Sequence, residues 1–421
     1  MKVLILGSGG REHTLAWKIK QSPLLSKLYV APGNAGTALL AENVDIGVSE
    51  TEKIINFAKE KEIDLVVVGP EVPLVEGIVD SLEKEGIKAF GPNKKAAILE
   101  GSKIFTRELL QKYNIPSAEF ASFTDATKAI DYIAEKGAPI VVKADGLAAG
   151  KGAIVCETNK EAEDAINKIL VDNEFGEAGS KVIIEEKLIG EEASYLIFTD
   201  GKTIIPMVSS QDHKAVYDED KGPNTGGMGA YSPAPVVTKE IEEEILTKIM
   251  RPMIDAMEKE GRTYKGILYA GLMITKDGPK IIEFNCRFGD PETQVILPRL
   301  ESDLLPIMEG CIDGNLKEKE VVWKSDACTC VVLASGGYPG KYEKGKAING
   351  MENVTNAIVF HAGTKENDGK TLTNGGRVLG VSALGESIAN SIGQAYNGVG
   401  EISFDGIYYR KDIGQKALNR K

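Results

Sequence analysis

Ile281-Ile282-Glu283-Phe284-Asn285-Cys286-Arg287-Phe288-Gly289-Asp290-Pro291-Glu292 is the stretch on which the reading of this chain turns. Its apolar start and period-two pattern predict a strand, and successive side chains of a strand point to opposite faces. Glu283, Asn285 and Arg287 therefore share a face. A carboxylate and a carboxamide at that spacing are hard oxygen donors suited to Mg²⁺ (or Mn²⁺). Mg²⁺ is usually held by one or two protein groups, with phosphate oxygens and water completing its shell. Arg287 adds a planar fork for a carboxylate or phosphate. The preceding run, Gly266–Thr275, is also strand-like, and Lys276-Asp277-Gly278 predicts a hairpin turn between the two.

Upstream, Asp145-Gly-Leu-Ala-Ala-Gly-Lys-Gly152 follows an apolar strand, Pro139–Lys143. The loop departs from the Walker pattern, which needs four residues between its glycines and Ser or Thr after Lys. A Gly-rich loop with one Lys can still close over triphosphate oxygens. Lys143, at the end of a buried strand, must either snorkel to water or meet an anion. Glu185-Glu186-Lys187-Leu188 and Glu191-Glu192 flank the end of another strand, Lys181–Glu186. They read as a solvated turn or as a nucleotide hinge, in which backbone groups face a base and a carboxylate meets ribose hydroxyls. A segment from Ser209 to about Pro235 reads as a long loop carrying Ser210-Gln-Asp-His-Lys214 and Thr225-Gly-Gly-Met-Gly-Ala230. Loops of that length are seldom idle. They make Asp212 and His213 candidates for a site.

The first hundred residues alternate strand and helix: strands at Lys2–Leu6, Leu28–Val30, Leu65–Val68 and Ala89–Phe90, helices at Arg11–Gln21, Ile54–Lys61 and Leu74–Glu85. This predicts a doubly wound α/β domain with a parallel sheet, ligands lying past the carboxyl ends of its strands. The loops there are Gly7-Ser-Gly-Gly-Arg11, Ala31-Pro-Gly-Asn-Ala-Gly36 and Gly69-Pro-Glu71. They make Gly9, Gly10, Asn34 and Glu71 candidates for an anionic, phosphosugar-like ligand. Glu12 stands where a dinucleotide fingerprint needs glycine, which argues against a nicotinamide cofactor. Further on, one helix, Glu161–Leu170, sits among strands; a long helix spans Lys239–Glu260; and the last hundred residues read as antiparallel strands with Gly turns. The expected division is 1–116, 117–192, 193–325 and 326–421.

At 421 residues the chain is long enough for several domains. The 62 acidic residues outnumber the 50 basic ones, for a net charge of −12. Such a chain has no global attraction for nucleic acid or for an anionic membrane, so an anionic substrate needs a local positive site. No apolar run approaches membrane-spanning length. Five cysteines without a CxxC pair fit a reducing cytoplasm.

Together, Lys143–Gly152, Glu185–Leu188, Glu192 and Glu283 with Asn285 resemble the ATP-grasp superfamily. The finer match also takes in Gly7–His13, Ala31–Gly36, Ser210–Lys214, Gly222–Tyr231 and Glu283–Glu292. It is similar to the phosphoribosylamine–glycine ligase family and spans nearly the whole chain. The resemblance implies an ATP-grasp fold: an N-terminal doubly wound domain, a lid, a central domain with the metal site and a small strand-rich C-terminal domain. It implies that Lys103, Lys143 and the lid glycines Gly150 and Gly152 touch ATP phosphates, that Glu185 and Leu188 meet adenine, and that Glu192 meets ribose. Glu283 and Asn285 would hold Mg²⁺. The N-terminal loops, with Asp212, His213 and Arg287, would hold glycine and 5-phosphoribosylamine, and Arg287, Asp212 and Lys143 would act in catalysis. The expected form is a cytoplasmic monomer. Many superfamily members carry a further acid about a dozen residues before the Glu-x-Asn pair, where this chain has Ala270 and Gly271. Two other readings stay open on the residues alone: another ATP-grasp ligase or carboxylase of purine metabolism, and a non-catalytic nucleotide- or phosphosugar-binding protein.

Overall fold

The computed structural model describes residues 1–147, 152–172 and 174–420. The N-terminal strands are β1 (Lys2–Gly7), β2 (Lys27–Pro32), β3 (Glu42–Asn43), β4 (Leu65–Val68) and β5 (Lys88–Phe90). They form a parallel sheet in the order β3-β2-β1-β4-β5. Val3 to Leu6 are completely buried, which is why β1 reads as an unbroken apolar run rather than an alternation. The strand order reverses between β1 and β4, so the loops after β1, β2 and β4 meet at one edge of the sheet. The expected helix Leu74–Glu85 is two helices, Glu71–Glu76 and Ile78–Lys84. Gly77 separates them at φ 97°, a left-handed conformation that glycine adopts without steric cost.

A second unit contains β6 (Phe120–Phe123), β7 (Ile140–Ala144), β8 (Ala153–Cys156) and β9 (Val182–Glu186), antiparallel in the order β6-β9-β7-β8. Two helices cover it rather than the single one expected: Ala126–Lys136 and Asn159–Ile166, the latter running into a π segment, Asn167–Val171. Ile133, Ile140, Val142, Ile166 and Ile184 form its separate core.

The chain continues through β10 (Glu191–Thr199), β11 (Ile204–Pro206), β12 (Gln211–Asp212), β13 (Ala215–Tyr217), β14 (Lys221–Asn224) and β15 (Gly229–Ser232). After helical segments between Lys239 and Lys259 come β16 (Gly266–Thr275) and β17 (Gly278–Asn285). The central antiparallel sheet runs β11-β10-β16-β17. The segment Ser209–Pro235 is therefore not a long irregular loop. β13 pairs with β14, while β12 and β15 join the C-terminal strands β18 (Ala327–Ser335), β19 (Ile358–His361) and β22 (Arg377–Gly385). A small hairpin, β20 (Thr364–Asn367) and β21 (Lys370–Thr373), intervenes, and β23 (Ile407–Tyr408) pairs with β18. Glycines hid these strands from the periodicity. Gly229 is one: a Cβ there would lie 2.6 Å from the Cys330 carbonyl oxygen. All five cysteines are buried and free. Among the described residues no helix is long and apolar enough to cross a membrane.

Candidate active site

The aim of Glu283 comes from an irregularity in β17. Leu272 pairs with Ile281 and Gly271 with Glu283, so Ile282 is an extra residue, a β-bulge. The bulge switches the alternation. Ile281 and Phe284, three apart, enter the same core, and Glu283 with Asn285 faces the other way. Gly271 gives Glu283 room: a Cβ there would stand 3.1 Å from the Glu283 Cγ. Glu283 is half-buried. Burial pushes its pKa up, but Lys214, Lys143, Lys103 and Arg287 outweigh burial and hold it below the ordinary carboxylate range. Among the described residues none donates a hydrogen bond to this carboxylate.

Those cations arrive from four separate segments of the chain. Lys103 opens the helix Lys103–Lys112, whose start is fixed by Ser102 Oγ accepting from the Phe105 N–H and by Asp145 Oδ1 accepting from the Ile104 N–H. Its Nζ donates to the Gly146 carbonyl at 2.5 Å. Lys143, on β7, is 5% exposed and meets an internal anion, with Nζ 2.7 Å from Glu185 Oε2 and 3.3 Å from the Ile282 carbonyl. Lys214 pairs with Glu192 at 3.0 Å. Arg287 donates from Nε to Glu71 Oε2 at 3.2 Å, and from Nη2 to Glu100 Oε1 and to Asn285 Oδ1, both at 3.1 Å.

Glu192 and Asp212 line one cleft of about 630 Å³, together with Gly190, Gln211, Lys214 and Arg420. Burial raises the Asp212 pKa to about 8; Lys214 opposes this, and Glu292, Glu192 and Glu283 reinforce it. Leu188 is half-buried in the connection between β9 and β10. Gly152 is buried, its carbonyl accepting from the Ala144 N–H at 2.8 Å, and Gly150 lies outside the described residues. On the other side of Arg287, Glu71 brings in the N-terminal sheet edge. Burial opposes ionisation of Glu71, but Arg287 and Arg11 outweigh it and lower its pKa.

Five of the residues expected to meet ligands have close partners within the protein. The Glu185 carboxylate is 4% exposed, and both its oxygens are engaged, by Arg107 at 2.6 and 2.9 Å and by Lys143. It holds Lys143. The Gly9 N–H donates to Glu12 Oε2 at 2.6 Å, so a carboxylate already stands where an anion was expected. Gly10 serves close packing, because a Cβ there would lie 2.5 Å from Gln294 Nε2. Asn34 is fully used. Its amide donates to the Ser8 and His361 carbonyls, and its Oδ1 accepts from the Gly36 and Thr37 N–H groups. His213 is 1% exposed and lies between the Gly229 carbonyl and the Gly414 N–H, each 3.3 Å from a ring nitrogen. Burial, with Arg410 and Lys416, lowers its pKa to about 4.

Sequence reasoning missed Glu100, Arg107 and the floor formed by Glu292. Glu292 Oε1 accepts from Tyr269 OH at 2.6 Å and from Ser194 Oγ at 3.0 Å. Glu100 clasps Arg287 and takes the Cys286 N–H at 2.7 Å. Neither Glu100 nor Arg107 stands in a motif.

The arrangement is thus one half-buried carboxylate ringed by cations, with Lys214 linking it to the cleft and Arg287 to the edge of the N-terminal sheet. The profile of the phosphoribosylglycinamide synthetase N domain matches residues 1–100, that of its ATP-grasp (A) domain residues 101–293, and that of its C domain residues 328–416. The chain is 54% identical over 426 residues to the phosphoribosylamine–glycine ligase of Vibrio parahaemolyticus, covering 100% of this chain and 99% of that protein. The crystal structure of the Thermotoga maritima phosphoribosylamine–glycine ligase superposes with a TM-score of 0.85 at 34% identity, covering 98% of this chain and 100% of that one. A Campylobacter jejuni biotin carboxylase shares the fold, with a TM-score of 0.75 at 15% identity, over 100% of this chain and 95% of that one. The chain belongs to the phosphoribosylamine–glycine ligase family of ATP-grasp enzymes.

Proposed function

We propose that this chain joins glycine to 5-phosphoribosylamine at the expense of ATP, releasing glycinamide ribonucleotide, ADP and phosphate, and works as a cytoplasmic monomer of purine biosynthesis. The observation that carries this reading is the open Glu283 carboxylate, kept ionised by four surrounding cations beside Asn285 and the cleft. Oxide is not a viable leaving group, so the glycine carboxylate must first be activated. Its oxygen attacks the γ-phosphorus of ATP, giving glycyl phosphate and ADP. The amine of phosphoribosylamine then attacks the acyl carbon and phosphate leaves. Protein groups here supply alignment and charge rather than covalent chemistry.

Glu283 and Asn285 fit a divalent cation. Both offer hard oxygen; Glu283 has no competing donor among the described residues, Asn285 Oδ1 accepts from Arg287 Nη2 at 3.1 Å and would share or exchange that bond, and Mg²⁺ needs few protein ligands when phosphates and water complete its shell. When bound, such a cation (Mg²⁺ or Mn²⁺) offsets charge on the transferred phosphoryl group. Lys103 and Lys143 face the same region and add positive charge there. Glu192 would meet the ribose hydroxyls and Leu188 the base edge. Arg287, held in plane by Glu71 and Glu100, is preset for a substrate anion at the N-terminal sheet edge, with Glu71 beside it. Asp212, in the cleft, orients the attacking amine.

The test is ADP release with ATP, glycine and freshly generated phosphoribosylamine, each omitted in turn, and a parallel series with bicarbonate in place of glycine. Release dependent on both glycine and the amine supports the reading. Release that follows bicarbonate, or tight ATP binding with no ADP formed under any combination, contradicts it.

A further inference from the structure

Arg107 lies inside the helix Lys103–Lys112, one turn after Lys103, and is 3% exposed. Its guanidinium joins two sheets. Nε and Nη2 clasp Glu185 Oε1 and Oε2 on β9 at 2.6 and 2.9 Å. Nη1 and Nη2 also reach the Ile281 and Ile282 carbonyls on β17, at 3.1 and 2.6 Å. Those carbonyls lie at the bulge that aims Glu283, where ladder pairing is interrupted and backbone acceptors need other partners. Lys143 shares both anchors, Glu185 Oε2 and the Ile282 carbonyl.

With both bases protonated, Arg107, Lys143 and Glu185 form a buried trio with one surplus positive charge, which faces Glu283; burial and Arg107 lower the Lys143 pKa, and Glu185 and Glu283 oppose this. A bidentate guanidinium takes the broad face of a carboxylate. Lys143 is left with a single oxygen of Glu185, so the ammonium is oriented without being neutralised. Were Glu185 alone with Lys143, the pair would be neutral and would offer a polyanion no net attraction.

We propose that Arg107 is a positioning residue for the nucleotide: it neutralises Glu185, so that Lys143 presents an uncompensated charge, and it fixes that lysine to the same bulge that directs Glu283. The inference rests on reading Lys143 as a phosphate-binding lysine.

Full-length R107M, R107K, E185M, R107M/E185M and K143M are compared for Mg-ADP affinity by calorimetry, for glycine KM in turnover, and for thermal melting. R107M is expected to weaken Mg-ADP binding roughly tenfold, while the glycine KM moves less than about threefold. R107K, which keeps the charge but loses the fork, falls between parent and R107M. R107M/E185M removes one charge of each sign, leaves the surplus on Lys143, and recovers most of the lost affinity despite lowered stability. Parent-like affinity in R107M overturns the proposal, as does a double variant no tighter than R107M, which marks a packing role alone. If K143M binds Mg-ADP like the parent, the reading of Lys143 fails and this inference with it. If K143M binds weakly while R107M does not, the inference about Arg107 alone is wrong.

Discussion

Glu185 on β9 and Glu283 on β17 are acids on neighbouring sheets, and Lys143 lies between them. Glu185 has Arg107 across both oxygens and Lys143 on one, and is closed to solvent. Glu283 has cations around it, yet none of the described residues is hydrogen-bonded to it, and it is only half-buried. In both, positive neighbours outweigh burial and lower the pKa. Charge alone does not distinguish them; satisfaction does. An acid whose lone pairs are filled from within holds structure, and an acid kept ionised but left unfilled waits for a ligand.

The sharpest way to break that contrast is Glu283→Gln. It should lower turnover by about a thousandfold or more, because the charge that anchors the cation is lost. The melting temperature should stay within a few degrees of the parent, since no internal partner is orphaned. Steady-state ADP release alongside a thermal melt checks both halves. Near-normal turnover would show Glu283 to be dispensable.

Glu185→Leu tests the opposite corner. Orphaning Arg107 and Lys143 should destabilise the protein by about 3–5 kcal/mol in urea unfolding. The pH dependence follows from the lowered folded-state pKa of Glu185. Its stabilisation is present above the ordinary value of 4.5 and is lost as pH falls through the lower folded value. Glu185→Gln should therefore flatten the acid side of the stability profile, and an unchanged slope would contradict the pairing.

Asp212 lies between these cases, cleft-lining but raised to about 8 by burial and neighbouring acids. If its carboxylate orients the amine, kcat/KM should rise with pH through about 8. Asp212→Asn should remove that limb and raise the phosphoribosylamine KM roughly tenfold. An Asn variant with the parent profile would end the role. The smallest kinetic effect is expected at Asn34, whose side-chain amide makes four internal hydrogen bonds. Asn34→Ala should cost about 1–3 kcal/mol of stability and leave both substrate KM values unchanged. A KM shift without a stability loss would return Asn34 to the site.

The same contrast explains what could be read beforehand. Glu283, Asn285 and Arg287 stand at period two in an apolar run, so their common face was legible. The bulge that aims them was not, because Ile281-Ile282 looks like any strand interior. His213 stands beside Asp212 in sequence, yet it lies just past the end of β12 and is buried between Gly229 and Gly414, while Asp212 lines the cleft. Gly9 with Glu12 three residues later is a capping-box spacing, a legible sign that the loop supplies its own acid. Arg107 carried no local signal. Its partners Glu185 and Ile281 lie 78 and 174 residues away, and only the packed fold brings them together.

The most direct test of the open-carboxylate claim is Mn²⁺ binding, followed by electron paramagnetic resonance in the presence of ADP. The parent should take up the ion with the nucleotide. Glu283→Gln should bind it at least tenfold more weakly while Glu185→Gln keeps most of the affinity. Equal Mn²⁺ affinity in parent and Glu283→Gln would contradict the account.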